Sequence, residues 1–475
     1  MHSIHTWTRA IGCLCGSSCS ASIGRIRAEL KRAATSFHAR RLYLRRCLML
    51  CRTTVCFSLL MFFAGQSAGA TTGGTVSEIE MALANANTDY LRMQGDRDAA
   101  RALPARAAYF RTKGEISNSD KWASRCIEDA IVLAQPGSDA LYQCLGILAG
   151  NRLWLGDIRG WAATMIKVRR LGASQPSLRA SALYQEANID GMQFEAFLDR
   201  PASSVTNVPK GIVEVPVKHL RDWPIISAKI TGGGDGAKRD VNVEFLVDTG
   251  AARSFLSPGF ARSIGLETTP GFVHEQRGGR IARTSLVDPV TLIIGGIELR
   301  DFSFAESDGV KPNIIGLDVL RQLGPLLLND EVLRLLGPAW KHTGCTTPLR
   351  IASDPWARYW ELRSPMKIDG VDRLPQIDTG LTGLLEVRGL RGEQGVGGSW
   401  QEAPVATMFG RVDRRVRMVQ MPVVANGMDG KIAVSVVEPV SPLPPETWLL
   451  GGGVLATRDL LVNLDSNLLC LRSRR

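Results

Sequence analysis

The stretch Phe245-Leu-Val-Asp-Thr-Gly-Ala-Ala-Arg-Ser254 constrains this chain more than any other. Asp248 closes an apolar run and is followed by Thr249 and Gly250, which places a carboxylate at a strand end where the backbone must turn tightly. A second such tripeptide, Asp378-Thr379-Gly380, follows Leu374-Pro375-Gln376-Ile377 further along the chain. A lone Asp in such a setting is an ordinary turn former. Two held in the same way predict a pair of carboxylates that act together.

The repeat extends beyond the tripeptides. Asn313-Ile314-Ile315-Gly316 follows Asp248 at nearly the spacing at which Trp448-Leu449-Leu450-Gly451 follows Asp378. The tails Leu326-Leu327-Leu328-Asn329-Asp330 and Leu461-Val462-Asn463-Leu464-Asp465 stand at nearly the same offset as the two aspartates. Upstream of Asp248, Ile225–Thr231 and Val241–Val247 read as a hairpin joined by Gly232–Asp240. Upstream of Asp378, Met366-Lys367-Ile368, a tight Asp369-Gly370 turn and Val371–Ile377 read as another. Gly295-Gly296 reads as a turn between the strands Val290–Ile294 and Ile297–Phe304.

Residues 212–475 thus resemble the retropepsin and pepsin superfamily of aspartic peptidases. Each lobe of that family has a hydrophobic-Asp-Thr-Gly-Ala/Ser loop and, later, two hydrophobic residues and a glycine beneath it. The resemblance implies a pepsin-like bilobed unit of two tandem all-β lobes, 212–338 and 351–475, around a linker at 339–350. It implies that Asp248 and Asp378 are catalytic, that Thr249 and Thr379 cross-link the loops by hydroxyl hydrogen bonds, and that Gly250 and Gly380 let the backbone approach the carboxylates. Ala251 follows the first glycine as the family prefers; the second loop departs with Leu381-Thr382-Gly383. The family also closes a hairpin flap over its substrate, for which Phe272–Ile281 with a tip at Gly278-Gly279 is the candidate in the first lobe and Gly395–Ser399 in the second.

Hydrolysis by such a pair needs no cofactor. Like charges that close do not both ionise, so one proton is shared and the pair supplies an acid and a base at once. The expected reaction is endopeptidase cleavage of a peptide or protein by an activated water. A different class of reading is a non-catalytic peptide-binding module on the same fold. A third completes the dyad by homodimerisation, whereas the single-chain dyad predicts an active monomer.

Residues 76–200 carry a helical pattern, with Ala, Leu, Arg and Glu at spacings of three and four. Between Leu141 and Pro176 the order of Leu, Gly, Trp and Ala is similar to one tetratricopeptide repeat, near that motif's ~34-residue period. A plain helical bundle is the alternative. No constellation of chemistry lies here, so the region is expected to dock a protein partner or pack. The Pro/Ser/Thr/Asn-rich residues 201–211 read as a linker. The fold class is therefore α+β multidomain, helical hairpins followed by β lobes.

The net charge of +11 does not indicate nucleic acid. Ten of the 57 bases but one of the 46 acids fall in residues 1–70, which leaves 47 bases and 45 acids for the rest. Residues 1–70 read as a leader, with the signal proper near 49–70. Arg45, Arg46 and Arg52 precede the apolar run Val55–Ala64, and Ala68-Gly69-Ala70 is a small-residue cleavage site. The run is about half the ~20 residues of a membrane span, so the expectation is export to the periplasm or medium and no stable span. Cys126, Cys144, Cys345 and Cys470 lie beyond the leader. Either Cys126 and Cys144 staple a helix pair or all four are buried thiols. No metal-binding motif is present, and only His219, His274 and His342 follow the leader.

Overall fold

The computed structural model describes residues 77–474 apart from 98–101, 130–138, 182–183, 186, 221, 233–238, 278–279, 308–311, 338–339, 341–343, 391–397, 408–409, 426–427 and 439–445. The leader reading at 1–70 and the proposed flap tip Gly278-Gly279 lie outside these residues. Among the described residues no helix is long and apolar enough to cross a membrane.

Helices come first: α1 (Glu78–Ala84), α2 (Thr88–Gly95), α3 (Ala102–Thr112), α4 (Ile116–Glu128), α5 (Asp139–Trp154) and α6 (Ile158–Ser174). Their ends follow local chemistry. Ser77 and Glu80 close a reciprocal capping box on α1, and Asn87 and Asp157 accept from the first turns of α2 and α6. The chain reverses between α5 and α6 at Gly156, whose φ of 75° suits a residue without a Cβ. A disulfide between Cys126 of α4 and Cys144 of α5 ties that pair.

From residue 204 the chain is mostly strand. In the first β region Val213–Leu220, Trp223–Gly232 and Arg239–Val247 form a meander, with Ile226 opposite Phe245. Val290–Ile294 and Ile297–Phe302 turn at Gly295-Gly296, with φ of 57° and 86°. Within 201–211, read from sequence as linker, Ser204–Thr206 instead pairs with Glu298–Arg300 as an added edge strand. The β-branched pair Val205 and Thr206 suits that extended edge.

In the second β region Asp369 and Gly370 sit at φ of 50° and 76°, closing the hairpin Met366–Ile368 and Val371–Arg373. The two repeated tails meet: Leu326–Leu328 pairs antiparallel with Leu460–Val462, so the chain's final strands extend the sheet of the first region. Cys345 and Cys470 form a second disulfide that holds this end, a pairing the spacing of the cysteines left open. One apolar core runs through both regions and includes Phe245, Val247, Ile315, Ile377 and Leu450.

The helices are locked to the second β region through its 354–360 turn. Trp154 stacks on Trp360 with centroids 4.1 Å apart, and Tyr142 meets Trp356 edge-on. Arg111, fully buried in α3, donates to the carbonyls of Asp354 at 2.9 Å, Pro355 at 3.0 Å and Ile147, and to Asn151 Oδ1 at 2.8 Å. Burial lowers its pKa to about 9. Arg111→Met leaves these buried acceptors unpaired and is expected to cost about 3 kcal/mol, read as a lower urea midpoint at an unchanged denaturant slope.

Candidate active site

Each aspartate stands where a strand leaves the sheet. Ile314-Ile315 runs parallel to the end of Arg239–Val247, and Asp248 N donates to Ile315 O at 2.9 Å. In the second region Gln376–Asp378 runs parallel to Leu449–Gly451. The glycines that end these hydrophobic pairs lie under the loops: a Cβ at Gly316 would meet the carbonyls of Arg253 and Ala251, and one at Gly451 those of Gly383 and Leu381. Only glycine permits that approach.

The loops bond to each other reciprocally. Thr249 N donates to Thr379 Oγ1 at 3.0 Å and Thr379 N to Thr249 Oγ1 at 3.1 Å. The Thr249 hydroxyl donates onward to Ile377 O at 2.8 Å, and that of Thr379 to Val247 O at 2.6 Å. Both threonines are 1% exposed, so every polar group in this knot finds its partner inside it.

The knot brings the carboxylates together. The Asp378 and Asp248 side chains share a hydrogen bond, and Gly250 N and Gly380 N each donate to the aspartate of their own loop, at 2.8 and 3.1 Å. A Cβ at Gly250 would overlap the Asp378 carboxyl, and one at Gly380 that of Asp248. Burial pushes the Asp378 pKa well above the usual carboxylate range, and the Asp248 charge adds to that; Arg388 pulls weakly the other way. The proton of the pair is thus held at a pH where a solvated carboxyl has lost it.

The unusual second loop keeps the backbone bonds of the first. Ala251 N donates to Asp248 O at 3.2 Å and Leu381 N to Asp378 O at 3.0 Å, while Ala251 O and Leu381 O accept from Leu317 N and Gly452 N. Leu381 is buried, and Gly383, at φ of 90°, donates to the Asp222 carboxylate at 2.8 Å. Trp223 Nε1 donates to Gly380 O at 2.7 Å, a further strut between the regions. Sequence reasoning missed Asp222 and Trp223, whose partners lie far along the chain in the second region. It quoted Ser254 without a role and gave Asp318 none; the Ser254 hydroxyl donates to the Asp318 carboxylate at 2.6 Å and accepts from Gly316 N, fixing the exit of the first loop.

The surroundings of the two aspartates differ. Leu246, opposite Ile314, which is opposite Phe255, shares the Asp248 face of its sheet. That row belongs to an apolar cluster with Trp161, Phe194 and Phe197 of the helical region. Phe272 joins it, 5.2 Å from Trp161 and 5.7 Å from Phe197 between ring centroids. Phe272 lies in Thr268–Arg277, which pairs with Arg280–Val287 as the hairpin expected there. Of the candidate Gly395–Ser399 in the second region, residues 395–397 lie outside the described residues. A hairpin among the described residues of that region pairs Gln401–Thr407 with the start of Gly410–Ala425. Among the described residues no group of His, Cys, Asp and Glu is placed to hold a metal ion.

Residues 235–322 match the family model described as gag-polyprotein putative aspartyl protease. That span holds Asp248, Thr249, Gly250 and the Ile314-Ile315-Gly316 segment. Solved structures similar to this chain include the EIAV protease complexed with the inhibitor HBY-793, with 22% identity over 22% of this chain and 91% of that one at a TM-score of 0.19. A retropepsin-like aspartic protease from Rickettsia conorii gives 19% identity over 28% and 92% at a TM-score of 0.20. Basic 7S globulin from soybean gives 10% identity over 56% and 96% at a TM-score of 0.32. No curated protein sequence matches the chain.

Thr379→Val removes one hydroxyl that serves two buried partners, Thr249 N and Val247 O. The expected loss is about 2–3 kcal/mol of unfolding free energy, measured by urea titration.

Proposed function

We propose that this chain is an aspartic endopeptidase of the retropepsin and pepsin type, built as two lobes in one chain, with Asp248 and Asp378 as its catalytic dyad. The observation that carries the reading is the reciprocal Thr249–Thr379 knot with the hydrogen-bonded aspartates at its centre. A metal-binding or redox role would call for a different set of side chains at that point.

The chemistry follows from one shared proton. The ionised carboxylate takes a proton from a water seated between the pair, and that water's oxygen bonds to the scissile carbonyl carbon. The protonated carboxyl gives its proton to the carbonyl oxygen, which yields a neutral diol. The proton just taken up by the first carboxylate then passes to the amide nitrogen, the carbon–nitrogen bond breaks, and one diol hydroxyl gives its proton back to the second carboxylate, which releases acid and amine and restores the shared proton. The two carboxyls titrate as a pair, so neither aspartate is assigned as acid or base alone. Thr249, Gly250, Ala251, Thr379 and Gly380 hold the geometry. The hairpins around Phe272 and after Gln401 would cover an extended peptide.

In this reading the protein is exported, acts as a monomer and uses no cofactor. The helical region, tetratricopeptide-like between Leu141 and Pro176, docks a protein partner.

The test is incubation of the protein with a diverse peptide mixture between acid and neutral pH, read by mass spectrometry. New internal cleavages are expected and should vanish in Asp378→Asn; cleavage that survives this substitution contradicts the single-chain dyad. The rate should fall as pH rises through the raised pKa of the pair, because the acid is then lost. Stability carries the same sign. A carboxyl whose folded pKa is raised stabilises fully below its unfolded pKa and loses that contribution as pH rises through the folded value. Asp378→Asn should therefore be at least as stable as the parent at neutral pH by urea unfolding, although inactive.

A further inference from the structure

The face of the second β region that carries Asp378 also carries charges that the dyad chemistry does not use. Across the sheet Gln376 lies opposite Leu449, Leu449 opposite Glu386, Glu386 opposite Ser435 and Ser435 opposite Met418. Alternate residues of a strand point the same way, so Asp378, Arg388 and Arg414 share this face with Glu386. The other face, with Ile377, Leu385, Val387, Val434 and Leu450, is core.

Glu386 is 5% exposed and anchors both arginines. Arg388 Nε lies 2.5 Å from Glu386 Oε1, and Arg414 Nη1 lies 3.8 Å from the same oxygen. The arginine side chains keep 35% and 25% of their surface open, so they reach outward from a carboxylate that does not. Two cations around one anion leave a net positive charge. Each guanidinium has five donors, together more than the lone pairs of one carboxylate can occupy. The two are close enough to repel: burial first, then Arg388, lowers the Arg414 pKa. Arg388 is also within electrostatic reach of Asp378. On the opposite side of the dyad the corresponding row, Leu246, Ile314 and Phe255, is packed in the cluster with Trp161, Phe194 and Phe197. The charged side is therefore the one left to discriminate among substrates.

We infer that Arg388 and Arg414, held by Glu386, form a carboxylate-binding subsite, and that the preferred substrates carry a Glu or Asp side chain near the scissile bond on the Asp378 side. The inference rests on the peptidase reading and sharpens it, since bidentate pairing with a guanidinium rewards a planar carboxylate over its neutral isostere.

The test uses the full chain and paired peptides that differ by Glu or Gln at one position near the cleaved bond. The parent is expected to show a Glu/Gln ratio in kcat/KM of about tenfold at one position, the scale of one good charge-assisted contact. The ratio should fall towards one in Arg388→Gln and Arg414→Gln, and Arg414→Glu should favour a Lys peptide instead. Calorimetric binding of the same pair to Asp378→Asn protein reads the subsite without cleavage. Equal cleavage and equal affinity for Glu and Gln peptides, binding of neither, or a Glu preference that survives in both arginine variants overturns the subsite. Cleavage without preference removes the subsite and leaves the peptidase. Preferential binding that the arginine variants lose, with no cleavage by the parent, keeps the subsite and removes the peptidase.

Discussion

The structure depends on four hydrogen bonds between two loops, in which the hydroxyls of Thr249 and Thr379 each accept from the other loop's backbone and donate to a buried carbonyl. Left unpaired, these groups would each cost a desolvation penalty of about 1–3 kcal/mol in so dry a place. Satisfied, they force two loops far apart in the chain into one unit and bring their carboxyls into contact. Repulsion between the aspartates opposes that contact, and proton sharing relieves it. The glycines are part of the same constraint, since any side chain at Gly250 or Gly380 would occupy the space of the opposite carboxyl.

Around this knot the chain is tied together at several further points. The tails of the two β regions pair edge to edge, the Cys345–Cys470 disulfide fixes the last strand, and Trp223 and Asp222 strut the second loop from the first region. The helical region is joined on both sides. Arg111 and Trp154 hold the 354–360 turn of the second β region, and Arg253, just beyond the first loop, donates to Leu153 O at 2.8 Å. Residues of the helical region thus pack with the row beside Asp248 and with Phe272, whereas Glu386, Arg388 and Arg414 lie on the Asp378 side.

What was legible in the sequence was local. The Asp-Thr-Gly loops, the Asp369-Gly370 and Gly295-Gly296 turns and the hydrophobic-glycine segments each follow from a few adjacent residues whose backbone demands are specific. The departure at Leu381 changes little, because the turn is set by backbone bonds and by the glycines beside it, while the side chain is simply buried. What was not legible was long-range. Glu386 and Arg414 meet from separate strands, Cys345 reaches across the whole second region to Cys470, and the stack of Trp154 on Trp360 joins regions of different periodicity. The edge strand at Ser204–Thr206 and the hairpin after Gln401 escaped because pairing is decided by the partner strand as much as by propensity.

The central claim, that both carboxyls of one site come from one chain, is tested most directly by calorimetric titration with a peptide whose scissile bond is replaced by a hydroxyethylene group. A tetrahedral hydroxyl held between two aspartates should bind with one site per chain, at a stoichiometry that does not change on dilution, and both Asp248→Asn and Asp378→Asn should lose it. Half a site per chain, or binding indifferent to either substitution, would contradict the account.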